Sequence, residues 1–138
     1  MPDSFLVYCD GGARGNPGPA AAAFVVEKNG KVIYKGSELL GRSTNNEAEY
    51  AGVILALRWL LKDISEVPKH VVFVLDSELV ANQLAGKFKV KNENLRNRFY
   101  TAKTLEEKVP AKIIFKTVAR TRNKIADFLV NKALDENP

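Results

Sequence analysis

The alternation of apolar and polar positions predicts a chain built from both strands and helices. Apolar runs bounded by turn residues predict strands at 5–9, 20–27, 32–40, 71–75 and 112–118. Helical spacing of apolar residues predicts helices at 46–62, 77–85, 94–108 and 124–134. The Asn-Gly pair at 29–30 predicts a hairpin between the second and third strands. This order indicates an α/β fold with a five-stranded mixed sheet flanked by helices: three strands form an antiparallel meander, and the first, fourth and fifth run parallel.

Two of the predicted strands lead directly into an aspartate. Asp10 follows the first strand and opens a segment rich in glycine and proline at 11–19, so we expect the strand to end at Asp10 and the chain to turn there. Asp76 follows the fourth strand in the same way. Because the carboxyl ends of parallel strands meet at one edge of a sheet, the two carboxylates are expected to lie side by side.

The first long helix carries two acids on different faces. Glu49 shares a stripe with the apolar residues four, seven, eight and eleven positions later, namely Val53, Ala56, Leu57 and Leu60. Glu47 lies toward the face of Arg58 and Lys62 and is expected to be an ordinary solvated acid. An ionised carboxylate that faces the core needs a compensating partner, because burying an unpaired charge is costly.

A fourth acid, Asp127, lies in the first turn of the last helix. Four converging carboxylates would repel one another and raise their pKa values unless cations joined them. Mg²⁺ prefers such oxygen ligands, and two ions about 3.5–4 Å apart can support an in-line phosphoryl displacement. The alternative is that each acid only caps a helix or forms an ion pair.

Size and composition indicate one domain, residues 1–138, with a core that needs no disulfide. The chain has 138 residues, of which 46% are hydrophobic and 27% charged. Its single cysteine, Cys9, cannot form an internal disulfide and suits a reducing compartment. We see neither a leader sequence nor an apolar run of membrane-spanning length, and we therefore expect a cytoplasmic protein without a membrane partner. The net charge of +5 favours a polyanionic partner.

Four motifs give the sequence its resemblance to the type 1 ribonuclease H family, over nearly the full length. Residues 8–19, Tyr-Cys-Asp-Gly-Gly-Ala-Arg-Gly-Asn-Pro-Gly-Pro, resemble the first catalytic block of that family. Residues 44–49, Thr-Asn-Asn-Glu-Ala-Glu, resemble its helix-opening motif, with Glu49 in the catalytic register. Residues 75–77 and 123–127 match the segments that carry the third and fourth acids. All four motifs occur in the order and spacing of the family.

The resemblance implies a ribonuclease H-like fold and a metal-dependent endoribonuclease. Such an enzyme hydrolyses the RNA strand of RNA/DNA hybrids by a two-metal-ion mechanism and leaves 5′-phosphate and 3′-hydroxyl ends. The implied cofactor is Mg²⁺, two ions, with Mn²⁺ as a substitute. Asp10 would be a ligand of both ions. Glu49 and Asp76 would complete the protein ligands of one ion, and Asp127 would complete those of the other. The RNA/DNA hybrid is the implied partner, and we expect a monomer without an obligate protein partner.

The resemblance also implies a substrate groove. Three residues are similar to those that contact the 2′-hydroxyl groups of RNA: Gly11, Asn16 and Asn46. Three others resemble a pocket that holds a phosphate of the DNA strand: Arg42, Thr44 and Asn92.

Two departures from the family pattern concern charge near the site. Arg120 occupies a loop position where many relatives have histidine, and its role would be electrostatic because a guanidinium does not act as a general acid. The only histidine, His70, is expected at the surface. The tryptophan-rich basic handle of some relatives is missing. The lysines at 87, 89 and 91 would form a smaller basic edge of the groove, or simply a solvated run of charge.

Three other classes of protein share parts of this pattern. A non-catalytic module would bind the hybrid without a metal and form no product. A DNA-directed relative, such as a junction resolvase or a transposase-type nuclease, would keep the acids and the metals. An actin-like phosphotransferase also places Asp-Gly loops at strand ends, but this chain is too short for its two lobes.

Overall fold

The computed structural model describes residues 4–62 and 66–137 and confirms the predicted α/β fold. The strands are β1 (Ser4–Ala13), β2 (Gly18–Lys28), β3 (Lys31–Ser43), β4 (His70–Leu75) and β5 (Lys112–Thr117). The helices are α1 (Asn45–Lys62), α2 (Glu78–Leu84), α3 (Glu93–Lys108) and α4 (Lys124–Glu136), and a 3₁₀ turn at Arg120–Arg122 precedes α4. The loop predicted at 63–70 begins with residues 63–65, which lie outside the described residues.

The five strands form one mixed sheet in the order β3-β2-β1-β4-β5. Strands β1, β2 and β3 pair antiparallel, whereas β1 pairs parallel with β4 and β4 with β5, as predicted. The turn between β2 and β3 has positive φ at both central residues, 55° at Asn29 and 78° at Gly30. This is the pattern that an Asn-Gly hairpin turn requires.

Helices cover both faces of the sheet. On one face α1 packs on the main core, which includes the fully buried Tyr50, Leu57 and Phe73. On the other face α4 places Val130 and Leu134 against two small residues of β2, Ala21 and Ala23. Among the described residues, no helix is both long and apolar enough to cross a bilayer.

The strand predicted at 5–9 ends too early, because β1 continues through Asp10 to Ala13. Its parallel pairing with β4 stops at Tyr8, but its antiparallel pairing with β2 persists to Ala13, opposite Ala20. The backbone hydrogen bonds to β2 keep the glycine-rich segment extended. Asp10 therefore lies where β1 separates from β4, which leaves room beside the strand for side chains from other elements.

Candidate active site

Helix α1 contacts β1 at two glycines next to Asp10. A Cβ atom at Gly11 would overlap the backbone carbonyl group of Ala48, and one at Gly52 would lie 2.8 Å from the carbonyl oxygen of Asp10. Only residues without a Cβ atom permit so close an approach of helix and strand. This packing brings Glu49, one residue after Ala48, against the segment of β1 that carries Asp10.

Three carboxylates meet at this contact. Asp10, Glu49 and Asp76 each offer one oxygen, and the three oxygens lie within 4.8 Å of one another. Asp10 is 5% exposed and Glu49 is 6% exposed, while Asp76 directly follows β4 and is partly exposed. The structure thus brings together three of the four acids that the sequence singles out.

Burial and mutual repulsion disfavour the ionised forms of two of these acids. Burial raises the pKa of Glu49 well above its usual range, and the charge of Asp10 adds to the rise. Burial also raises the pKa of Asp10, to about 6; the neighbouring Glu49 carboxyl opposes this rise and the charge of Asp76 adds to it. Oε1 of Glu49 accepts a hydrogen bond from the backbone N–H of Gly11 at 3.2 Å. Oε2 of Glu49 is buried and has no hydrogen-bond partner among the described residues.

The cluster fits a divalent cation. Carboxylate oxygens are the ligands that Mg²⁺ and Mn²⁺ prefer, and a cation would favour the ionised forms that burial disfavours. It would also give the unpartnered Oε2 of Glu49 an interaction. The site therefore has the donor atoms and the uncompensated charge of a metal centre.

An open cavity of about 430 Å³ lies over the carboxylates. Asp127, in the first turn of α4, and Arg120, in the 3₁₀ turn, line this cavity together with the cluster. Asp127 does not belong to the group of three oxygens within 4.8 Å. The structure thus places both predicted residues at the same cavity, with Asp127 farther from the cluster than the other acids are from each other.

Asn123 has a role at this site that the sequence did not predict. Its side chain is 1% exposed, and its Nδ2 donates to the carbonyl oxygen of Cys9 at 2.8 Å and to Oδ2 of Asp76 at 3.3 Å. This amide joins β1, the carboxylate of Asp76 and the start of α4. An asparagine before a helix usually indicates an N-cap, but Asn123 makes no side-chain cap hydrogen bond. Its place in the 123–127 motif was the only signal in the sequence.

A second cavity of about 170 Å³ lies where two helices begin, and it is called the phosphate cavity here after the predicted phosphate contacts of Thr44 and Asn92, which line it. It is lined by Asn16, Thr44, Asn46, Glu47, Asn92, Asn94 and Leu95. Oγ1 of Thr44 accepts the N–H of Glu47 at 3.2 Å, and Oδ1 of Asn92 accepts the N–H of Leu95 at 3.1 Å. These cap bonds use acceptor atoms only, so the Thr44 hydroxyl hydrogen and the Asn92 amide hydrogens remain as donors.

Glu47 differs from its prediction as a solvated acid. Its Oε1 accepts the backbone N–H of Thr44 at 2.9 Å, which completes a reciprocal capping box with Thr44. Its Oε2 lies 3.9 Å from Nε of Arg98 on α3. The prediction considered only the phase of α1, and it could not include a partner from another helix.

The other predicted substrate residues are distributed over both cavities and the surface. Gly11 lines the cavity over the carboxylates, and Asn46 lines both cavities. Oδ1 of Asn16 accepts the N–H of Asn45 at 2.9 Å, which ties the loop after β1 to the start of α1. Arg42 is exposed near the end of β3 and does not line the phosphate cavity among the described residues, so its phosphate contact stays a prediction. His70 is exposed, as expected.

Comparisons with known proteins identify relatives along almost the whole chain. The family model described as "Reverse transcriptase-like" matches residues 8–133. Ribonuclease H of Pseudomonas putida (strain W619) is 30% identical over 155 residues, which cover 99% of this chain and 97% of that protein. Bifunctional protein Rv2228c of Mycobacterium tuberculosis (strain H37Rv) is 36% identical over 132 residues, 94% of this chain but 35% of that protein. This chain thus spans about a third of the length of that relative.

A solved structure agrees with these relatives. The crystal structure of LC11-RNase H1 in complex with an RNA/DNA hybrid is similar to this chain, with a TM-score of 0.89 and 36% sequence identity. The match covers 96% of this chain and 97% of the LC11-RNase H1 chain. The fold of this chain thus has a counterpart in a solved ribonuclease H1 structure. The chain belongs to the ribonuclease H family, in its type 1 branch.

Proposed function

We propose that this protein is an endoribonuclease that hydrolyses the RNA strand of RNA/DNA hybrids and leaves 5′-phosphate and 3′-hydroxyl ends. The observation that carries this proposal is the meeting of the Asp10, Glu49 and Asp76 carboxylates within 4.8 Å at an open cavity. Family membership supports it, and the similar LC11-RNase H1 has a structure with an RNA/DNA hybrid.

The proposed cofactor is a pair of Mg²⁺ ions, with Mn²⁺ as a substitute. Asp10, Glu49 and Asp76 would hold one ion, and Asp10 with Asp127 would hold the other. When bound, the ions supply Lewis-acid charge for an in-line displacement at phosphorus. The raised pKa values of Asp10 and Glu49 support this assignment, because a bound cation would favour the ionised forms that burial disfavours.

The chain orients these ligands with its own hydrogen-bond donors. The Gly11 N–H donates to Glu49 and the Asn123 amide donates to Asp76, which favours the orientation of both carboxylates toward Asp10. Arg120 lines the same cavity and is positively charged at any working pH. Its proposed role is to attract and hold a phosphate of the RNA strand, not to transfer a proton.

The proposed substrate contacts begin at the carboxylates and extend into the phosphate cavity. Asn16 and Asn46 carry amides, which can both donate to and accept from a 2′-hydroxyl group, and Gly11 would let the RNA backbone approach β1 closely. Thr44 and Asn92 lie at the N-termini of two helices, where an anion is favoured, and Arg42 would add charge. A single domain over residues 1–138, a monomeric state and a cytoplasmic location stay predictions.

A labelled substrate panel tests this function. RNA/DNA hybrid, duplex DNA and duplex RNA are each incubated with Mg²⁺, with Mn²⁺ or with a chelator. We expect cleavage of the RNA strand of the hybrid with either metal, and none with the chelator. Cleavage of duplex DNA alone would instead assign the protein to the resolvase class, and binding without product would make it a non-catalytic module.

Variants of the acids test the assignment of the site. Asp10→Asn removes a charge from the metal centre while keeping the shape of the side chain. We expect it to lower cleavage at least about 100-fold, with hybrid binding retained. Glu49→Gln should be equally severe. Glu47→Gln, on the same helix, is the matched control and should be mild; the reverse ranking would disprove the assignment.

A further inference from the structure

The phosphate cavity contains a carboxylate, which is an unfavourable neighbour for a phosphate. Glu47 lines this cavity together with Thr44 and Asn92. A phosphate in this cavity and the Glu47 carboxylate would repel each other, and the repulsion is larger where protein excludes water. If the cavity holds a phosphate of the DNA strand, the charge of Glu47 must be compensated.

Arg98 supplies the compensating charge from outside the cavity. Its Nε lies 3.9 Å from Oε2 of Glu47, and the two side chains are 33% and 17% exposed. Because both side chains are partly buried, their ion pair is stronger than one between fully solvated side chains. Arg98 does not itself line the phosphate cavity, and its ion pair with Glu47 joins it to a residue that does.

The pair also connects the two helices whose first residues form the phosphate cavity. Glu47 holds Thr44 at the start of α1 by the two hydrogen bonds of the capping box. Arg98 belongs to α3, which begins with Asn92 as its N-cap. The contact between Glu47 and Arg98 therefore links the elements that carry Thr44 and Asn92.

We propose that Arg98 is a positioning residue for the DNA strand, acting through Glu47. Its guanidinium neutralises and orients the Glu47 carboxylate, so that the carboxylate can cap α1 without repelling the phosphate beside Thr44. This inference rests on the proposed function. It assigns Arg98 an effect on hybrid affinity and no part in the chemical step.

A double-mutant cycle on the full chain tests the inference with hybrid cleavage in Mg²⁺. Arg98→Ala removes the cation that faces the Glu47 charge, so KM should rise about three- to fivefold while kcat stays within about twofold. Glu47→Gln removes the repulsive charge but keeps an oxygen for the cap, and in this background Arg98→Ala should change KM by less than about twofold. The combination of both changes should return KM to the value of Glu47→Gln alone.

The cycle separates this mechanism from a direct contact between Arg98 and the nucleic acid. A direct contact would give the same rise in KM in both backgrounds and would overturn the inference, as would an unchanged KM for Arg98→Ala. Arg98→Lys should rescue affinity because it keeps the charge. Melting temperatures of all variants show whether they fold, and if Arg98→Ala does not, Arg98→Gln takes its place in the cycle.

Arg58 provides the matched control for net charge. A surface groove between α1 and α3 is lined by Arg58, Arg98 and Glu47. In the part of the chain that the structure describes, no ion pair joins Arg58 to an acid. Arg58→Ala should leave KM within about twofold of wild type, and an increase equal to that of Arg98→Ala would overturn the inference. Absence of hybrid cleavage by the wild type would instead count against the proposed function itself.

Discussion

Asp10 and Glu49 are buried beside each other, and the charge of Asp10 disfavours the ionisation of Glu49. The pKa of Asp10 is raised from 3.8 to about 6, first by burial, and the pKa of Glu49 is raised for the same first reason. A raised pKa means that the folded chain binds the proton more tightly than the unfolded chain. Without metal, the ionised site therefore lowers the free energy of unfolding at neutral pH.

Asp10→Asn should accordingly stabilise the metal-free protein at pH 7.5. The Asp10 carboxyl is protonated in both states below about pH 3.8 and ionised in both above about 6, so the folded state loses stability as pH rises between these values. The expected gain in the free energy of unfolding is about 1–3 kcal/mol at pH 7.5 and close to none at pH 3.5. Urea denaturation of both proteins at both pH values measures it.

Addition of Mg²⁺ provides the control for this prediction. A ligand that binds only the folded state raises the melting temperature. We expect Mg²⁺ to raise the melting temperature of the wild type clearly and the melting temperature of Asp10→Asn much less. Equal stability of the two proteins at pH 7.5 without metal would show that the Asp10 carboxylate is already compensated.

Asn123→Ala should affect both stability and turnover. The change leaves the carbonyl oxygen of Cys9 without its buried donor and frees the carboxylate of Asp76. We expect the free energy of unfolding to fall by about 1–3 kcal/mol and kcat to fall with it at saturating Mg²⁺. Asn137→Ala is the control, since among the described residues the Asn137 amide donates only to the carbonyl oxygen of Ala133 at the exposed end of α4. A similar loss of stability and turnover in Asn137→Ala would refute the special role of Asn123.

The contact of α1 with β1 sets the position of Glu49. Glycine at 11 and 52 lets the helix approach the strand, and the N–H of Gly11 then reaches the carboxylate of Glu49. A side chain at position 11 would push the helix away from the strand. The same contact thus determines both the packing of the core and the geometry of the site.

Gly11→Ala should therefore destabilise the protein, while Gly12→Ala should not. The added Cβ at position 11 meets the backbone of Ala48, which cannot move alone, and we expect a loss of about 1–3 kcal/mol together with loss of cleavage. At position 12 the nearest atom is Cγ1 of Val130 at 3.7 Å, an ordinary contact, so the change should be neutral or stabilising by about 0.4–1 kcal/mol. Urea denaturation compares the two, and equal losses would contradict the account of the contact.

The elements that the sequence predicted correctly are those with a local signal. The phase of α1 placed Glu49 toward the core, and the Asn-Gly pair gave the hairpin turn, because both depend on neighbouring residues only. The end of β1 was wrong because glycine is a weak strand former, and the pairing that extends β1 comes from the distant residues of β2.

The parts of the site that the sequence did not predict depend on contacts between distant segments. Asn123 reaches Cys9 and Asp76 across a separation of 114 and 47 residues, and no periodicity reports such a bond. The same holds for Glu47 and Arg98, which lie on different helices. The burial of the Asn123 side chain is visible only once the fold is known.

The positive charge of the whole molecule is distributed over both ends of the sheet. The lysines at 87, 89 and 91 are exposed and immediately precede Asn92 at the phosphate cavity. Lys28 and Lys31 flank the hairpin turn, and Lys112 begins β5; these three lie at the end of the sheet away from Asp10. The effect of net charge on hybrid binding can therefore be separated by experiment from the effect of charge near the phosphate cavity.

Hybrid binding should depend on the lysines near the phosphate cavity and not on net charge alone. Replacing either set of three by alanine lowers the net charge from +5 to +2 (5 − 3). Each lysine that neutralises a phosphate contributes about −0.9 to the slope of log K against log salt, so removing 87, 89 and 91 should flatten the slope by about 2–3. The set of Lys28, Lys31 and Lys112 should leave the slope unchanged. Fluorescence anisotropy with labelled hybrid measures the salt slope of both variants between about 50 and 300 mM salt, where screening changes strongly. Equal changes of slope in the two variants would show that only net charge matters.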